Sequence, residues 1–303
     1  MSSAIQSMYG VVVVGLGRSG KPRVRDLQKT FDNETLKRIQ LKGFVSRRDV
    51  SEDGLSKLSL DEALSRDDVD IVIVATEPKM HEQYVRKVLE AGKHCLVDYP
   101  LALTSAAAKE LYQLARTKGV SLHEENIGIM SKTSQYLREE LKKRPPVTEV
   151  DMLLLGNYNG WIEDWESSGG PFVTGNGMLQ TALSLFGPLE VDGASLQQEV
   201  DKYSAVGHLF MTEKRPLNLT LQRVKGEAQR RSEYVIKFED GSVIDSFPDH
   251  ILQPPKPGHV GLFMQDLIMF VDEIEGKRDP SENIARTIRS LELAQEIHSH
   301  VGL

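Results

Sequence analysis

Short runs dominated by apolar residues recur through the first 125 positions, at 11–14, 41–45, 70–76, 94–98 and 120–124. Each has the length of a strand buried on both faces. Between them, polar and apolar positions mix at helical spacing over residues 25–40, 80–91 and 105–118, and residues 58–64 read as a turn feeding another helix. Gly92 and Gly119 stand where two of these helices should stop, and Thr104 where the last should be capped. Strand–helix alternation of this kind predicts an α/β Rossmann fold, a doubly wound parallel sheet with ligands beyond the carboxyl ends of its strands.

Near residue 130 the pattern changes. A helical stretch at 132–143 ends at Pro145-Pro146, and strand-like runs follow at 149–156, 190–199, 207–212, 217–224 and 233–238. Asp240-Gly241 is a hairpin turn signal after the last of these. The chain closes with amphipathic stretches at 262–275 and 282–300, and Pro254-Pro255-Lys256-Pro257 reads as a loop. This half predicts an α+β domain with a large, mainly antiparallel sheet and helices on one face. The expected division is a nucleotide-binding domain over residues 1–128 and a substrate-binding domain over 129–303.

Composition narrows the function classes. A length of 303 residues suits two domains, and a net charge of −7 gives no support for general nucleic-acid or membrane-surface binding. Cys95 is the lone cysteine, which excludes an intramolecular disulfide and a cysteine-rich metal site. The leader, residues 1–7, lacks a basic segment followed by a long apolar core, and no run reaches the ~18–20 apolar residues of a membrane span. The expectation is a soluble cytoplasmic enzyme acting on a small molecule, with its oligomeric state unread.

The chemistry begins where the valine run enters Gly15-Leu16-Gly17-Arg18-Ser19-Gly20. With 24 glycines in the chain, G-x-G-x-x-G arises by chance about once in seven such sequences, so context must carry the reading. A buried strand just upstream supplies that context, and the glycines then serve a tight turn, close approach of a pyrophosphate, and helix-on-strand packing. The second strand ends in Ser46-Arg47-Arg48, where an NAD-specific site would place an acid for the ribose hydroxyl. Two guanidiniums and a hydroxyl suit a 2′-phosphate instead, so the expected cofactor is NADPH, with NADH possible.

Gly15-x-Gly17-x-x-Gly20, Val74-Ala75-Thr76-Glu77-Pro78 with His81, Gly92-Lys93-His94 followed by Val97-Asp98-Tyr99-Pro100, and Phe270-Val271-Asp272-Glu273-Ile274-Glu275-Gly276 resemble the glucose–fructose oxidoreductase/inositol dehydrogenase superfamily. Within it, Gly43-Phe44-Val45-Ser46-Arg47-Arg48, Leu122-His123-Glu124-Glu125 and Ser184-Leu185-Phe186-Gly187 are similar to the biliverdin reductases. The resemblance covers nearly the whole chain and is dense over residues 10–126. It implies that Arg18, Ser19, Thr76, Glu77, His81 and Asp98 line the cofactor site beside the glycines and Ser46, Arg47 and Arg48. Tyr99 stands where sugar-oxidising members carry a catalytic Lys, and Gln180 and Ser184 stand where those enzymes carry an Asp and a His. Three acid–base positions of a polyol dehydrogenase are therefore absent.

The resemblance implies hydride transfer from NADPH to the central methine carbon of a linear tetrapyrrole, with a proton going to a pyrrole nitrogen. The candidate catalytic residues are Tyr99, as a hydrogen-bond donor, and Glu124 and Glu125, orienting the pigment or relaying protons. Arg223, Lys225, Arg230 and Arg231 form a basic stretch suited to the pigment's two propionates. One departure stands out: relatives carry an Arg on the helix that here holds Met178. Two other readings remain, an NADP-dependent oxidoreductase of another small carbonyl or diol, and a catalytically silent NADP(H)-binding protein. His298 and His300 read as a polar helix terminus, and Trp161 and Trp165 as loop residues that pack into the core.

Overall fold

A computed structural model describes residues 7–52, 54–125, 127–227, 230–254 and 258–303. The leader residues 1–6 and the proline-loop residues 255–257 lie outside the described residues. In chain order the elements of the first sheet and its helices are β1 (Tyr9–Val14), α1 (Gly20–Leu27), β2 (Ile39–Val45), β3 (Lys57–Leu58), α2 (Leu60–Ser65), β4 (Ile71–Val74), α3 (Pro78–Glu90), β5 (His94–Val97), α4 (Ser105–Lys118) and β6 (Leu122–Glu124). All strand pairs are parallel, in the order β3-β2-β1-β4-β5-β6. The order reverses between β2 and β4, on either side of β1, which is where such sheets bind ligands.

The elements that follow are α5 (Ile127–Met130), α6 (Lys132–Lys143), β7 (Val147–Asn157), α7 (Trp165–Ser168), α8 (Pro171–Thr174), α9 (Asn176–Phe186), β8 (Glu190–Gln198), β9 (Lys202–Phe210), β10 (Pro216–Val224), β11 (Arg231–Phe238), β12 (Val243–Ile244), α10 (Asp249–Leu252), α11 (Leu262–Ile274) and α12 (Ser281–Ser299). The second sheet runs β12-β11-β7-β10-β9-β8, antiparallel except for the parallel pair β7–β10. Alternate residues of β10 (Leu217, Leu219, Leu221, Arg223) face inward, against a core that includes Leu179, Ala182, Leu293 and Ile297. Among the described residues no helix is long and apolar enough to cross a membrane.

Three expectations need correction. The helix expected over 25–40 is instead α1, ending at Leu27. Beyond it the Asn33 side chain accepts from the amides of Thr35 and Leu36, a local turn that competes with helix. His298 is no frayed end: it is buried, its Nε2 accepts from the Phe172 amide at 3.0 Å, and burial lowers its pKa to about 4. The division at residue 128 also misses a return of the chain. One compact unit comprises Met1–Ala102, Ala106–Glu125 and Pro255–Ala285, and the other Leu103–Ser105, Asn126–Pro254 and Arg286–Leu303.

What brings α11 into the first unit is a buried latch as well as apolar packing. Met264, Leu267, Phe270 and Val271 join the core of Val11, Val13, Ile71, Ile73 and Leu96. Asp266 and Glu273 lie two turns apart on α11 and therefore share a face. Between them sits the ring of His123 at the heart of β6, with Nε2 3.1 Å from Asp266 and Nδ1 2.9 Å from Glu273. Phe270, one turn from each, packs against the same ring at 5.5 Å. Burial alone would discharge the imidazole, but the two carboxylates outweigh it and raise its pKa to about 10. Just past α11, Glu275 is held down to about 2 by hydrogen bonds from Arg38 and Lys277.

The latch makes a pH-dependent prediction. A folded-state pKa of about 10 against ~6.5 in the unfolded chain means stabilisation fully present below ~6.5 and lost as pH rises through 10. His123→Gln should destabilise by about 3–5 kcal/mol near pH 7, because two buried carboxylates lose their cation. Urea melts at pH 6.5, 8 and 10 should show wild-type stability falling over that range and a flatter profile for the variant. Equal slopes would show that the imidazole is neutral in the fold.

Candidate functional site

β1 ends at Val14, and the chain turns sharply at Gly15, whose φ of +97° is a conformation L side chains rarely adopt. A Cβ on Gly15 would stand 2.3 Å from the Ala75 carbonyl oxygen, and one on Gly20 would stand 1.9 Å from that of Gly15. Both glycines are thus demanded by the fold itself. Gly17 is different: a Cβ there meets nothing nearer than 3.9 Å. The opening it leaves is where a pyrophosphate would approach the backbone. Ser19, at the start of α1, does not cap the helix, and the first turn carries no acid. Within α1 the Lys21 amide donates to the Gly17 carbonyl at 3.3 Å and Pro22 has none, so it is the amides of the turn and of Gly20 that fit a dinucleotide phosphate.

The turn is held from behind. The Ser19 hydroxyl donates to one oxygen of Asp98, and Arg23 Nη2 donates to the other at 2.8 Å. Arg23 is fully buried and stacks 4.3 Å over the Phe263 ring. Burial opposes its charge, but Asp98, Glu125 and Asp266 outweigh that opposition and raise its pKa above the ordinary value. Arg23 was missed at the sequence level although a signal existed: it lies on the same stripe of α1 as Gly20, Val24 and Leu27. A cation on an apolar stripe needs a buried partner.

At the neighbouring strand end, Arg48 donates to the Leu16 carbonyl inside the glycine turn, and the Arg48 amide donates to Ser46 Oγ at 3.2 Å. Arg47 pairs with Glu77 at 2.7 Å, both side chains being exposed. A surface pair of this kind contributes only about 0–1 kcal/mol, so an incoming phosphate can replace Glu77 as the counter-ion. Arg18 is also exposed beside the turn.

The loop after β5 is clamped on every side. Beyond the two bonds on Asp98, the Asp98 amide donates to the Val74 carbonyl at 2.9 Å. The Pro100 carbonyl faces His81 Nδ1 at 2.7 Å, and His81 Nε2 faces the Thr76 carbonyl at 2.9 Å. The Leu101 amide donates to Glu124 Oε1 at 2.6 Å. The Tyr99–Pro100 peptide bond is cis. From Cys95 to Ala102 every residue is buried except Tyr99, which is half-buried.

These contacts redistribute the roles expected of the residues. Glu124 is wholly buried and engaged by the Leu101 amide, so it positions the loop rather than relaying protons from solvent. Glu125 is buried and faces the Arg23 charge, so it belongs to the same support. Asp98 has both oxygens spent inside the protein, and His81 joins two main-chain segments. Of the catalytic candidates, Tyr99 alone is not fully buried. Cys95, on β5, is buried, and burial pushes its thiol pKa up, which removes it as a nucleophile.

In the second unit, Met178 and Gln180 are buried on α9, and Ser184 accepts from Arg138 at 3.3 Å. The basic stretch does not form one cluster. Lys225 approaches Glu163 at 3.8 Å, Arg231 pairs with Glu233 at 2.8 Å, and Arg230 is exposed, whereas Arg223 points inward and is buried. Trp165 packs edge-on against Tyr203 at 5.5 Å, and Trp161 is exposed.

Residues 9–126 match the model of an oxidoreductase family with an NAD-binding Rossmann fold. The chain is 34% identical to biliverdin reductase A of Homo sapiens over 310 residues, covering 99% of this chain and 98% of that protein. The Mus musculus protein of the same name is also 34% identical, over 307 residues. Among solved structures, a biliverdin reductase from Synechocystis in complex with biliverdin and NADP+ superposes with a TM-score of 0.81 at 21% identity, covering 97% of this chain and 99% of that one. A putative myo-inositol dehydrogenase from Sinorhizobium meliloti gives 0.77 at 14% identity. These last two likenesses concern the fold. Glycine turn, parallel sheet and full-length relatives agree: the chain belongs to the Gfo/Idh/MocA family of NAD(P)H-dependent oxidoreductases, with biliverdin reductase A among its relatives.

Proposed function

We propose that the protein reduces biliverdin to bilirubin with NADPH, acting in the cytoplasm. The observation that carries the reading is the half-buried Tyr99, in an otherwise buried loop, at the place where a hydroxyl-oxidising relative would present a Lys. Oxidation of a sugar alcohol needs a base near neutrality. Gln180 and Ser184 cannot supply one. Reduction of a conjugated methine makes a smaller demand: the nicotinamide supplies the hydride, and the protein orients, excludes water and supports charge. The biliverdin reductase name of the full-length relatives supports the same substrate.

In this mechanism the amides of the glycine turn and of Gly20 would hold the pyrophosphate, and Arg47, Arg48 and Ser46 would receive the 2′-phosphate. The Tyr99 hydroxyl donates a hydrogen bond to the pigment, and Asp98, His81 and Glu124 hold Tyr99 in place. The bound nicotinamide would supply hydride to the methine carbon, and a pyrrole nitrogen would take a proton from solvent. The exposed charges of Lys225, Arg230 and Arg231 attract the propionates. The direct test mixes pure protein with NADPH and biliverdin and follows loss of green absorption and gain of yellow. No colour change at saturating cofactor would refute the activity.

Three variants sharpen this reading. Arg47→Ala should weaken NADPH by about 1.5–3 kcal/mol, one charge-assisted phosphate contact, and leave NADH nearly unchanged. Fluorescence titration with each cofactor reads the difference, and equal weakening would place the 2′-phosphate elsewhere. Tyr99→Phe should cost roughly threefold to tenfold in kcat, the value of a neutral hydrogen bond. A loss beyond a hundredfold with the fold intact would instead make Tyr99 the obligatory proton donor. Replacing Arg230 and Arg231 together with Ala should raise the KM for biliverdin about threefold, an effect that fades at high salt because both side chains are exposed. A KM that is unchanged at low salt would show that the tip plays no part in attraction.

A further inference from the structure

The second unit buries a guanidinium, that of Arg223, with no described carboxylate within ion-pairing distance. It projects from β10 onto the inward face, in register with Gly156 of β7 and Tyr203 of β9. Gly156 makes room for it, since a Cβ there would stand 2.2 Å from Arg223 Nη1. The guanidinium donates to the Tyr203 hydroxyl, which is also hydrogen-bonded to Thr174. Arg223 Nε has no partner. Two residues past Thr174, Asn176 is wholly buried with neither amide atom paired.

A buried cation without a counter-ion is strongly disfavoured, and so is a buried amide without partners. The apolar neighbours offer no relief: Leu221 precedes Arg223 on the same face, and Met178 follows Asn176 on α9. An anion with two acceptor oxygens would satisfy the guanidinium, including its orphaned Nε. We propose that Arg223, with Tyr203, is an internal socket for one carboxylate of the substrate, and that Gly156 is the notch that leaves room for the guanidinium. Resting on the pigment reading, the socket takes one propionate inside the unit, while the exposed tip only attracts.

The test compares biliverdin with its dimethyl ester, which keeps the chromophore and removes both carboxylates. Arg223→Gln should raise the KM for the diacid by about tenfold to a hundredfold and leave that for the diester within about twofold, with NADPH affinity unchanged. Gly156→Ala should reproduce the loss of preference with the charge retained, because its methyl displaces Nη1, and Arg223→Lys should restore part of it. Equal losses for diacid and diester, or a diacid preference that survives Arg223→Gln, would overturn the socket. Should the wild-type protein reduce neither pigment, the proposed activity fails, and the socket is decided by propionate alone. A saturable rise in melting temperature with propionate, present in wild type and absent in Arg223→Gln, supports it, and identical responses reject it.

Discussion

An imidazolium between two carboxylates, inside the first unit, holds a distant stretch of chain against the parallel sheet. His123 sits in the middle of β6, and Asp266 and Glu273 reach it from one face of α11. Each charge would be costly alone in that interior; together they are mutually necessary. Because both carboxylates must meet one ring, α11 has one register and one rotation. Its apolar face then covers Val13, Ile73 and Leu96, which lie in the same core. Geometry set by electrostatics thus decides which hydrophobic surface is buried.

The same network extends towards the chemistry. Arg23 feels the charges of Asp98, Glu125 and Asp266, and Asp98 in turn holds Ser19 of the glycine turn. One carboxylate therefore joins the helix that faces a pyrophosphate to the loop that carries Tyr99. With His81 and Glu124 fixing the carbonyl and amide that follow, the loop has little freedom, and an ordered tyrosine costs less to position when a reactant binds. Strong residues stand behind the site and a weak acid stands in front of it.

That division suits a reaction whose difficult step belongs to the nicotinamide. The second unit places Met178 and Gln180 in its core rather than in an acid–base pair, and the exposed Lys225 and Arg231 face neighbouring acids. Arg223 differs in kind from the rest of the basic stretch. Strand alternation turns it inward while Lys225, two residues on and past the end of β10, lies outside.

Much of this was legible in the residues themselves. Four consecutive valines and the glycine pattern specified the first strand and its turn, because a buried parallel strand tolerates no polar residue and the turn tolerates no Cβ at Gly15 or Gly20. The strands of the second sheet, the helix over Ser105–Lys118 and the basic end of β2 follow from equally local rules. What tertiary structure alone decided are the partnerships between residues far apart in sequence. Periodicity marks α11 as amphipathic but not which sheet it covers. It shows neither that Glu124 is spent on the Leu101 amide nor that Arg23 meets Asp98. A local pattern records which face of an element avoids water, whereas the identity of a buried charge's partner depends on where the folded chain brings a counter-charge.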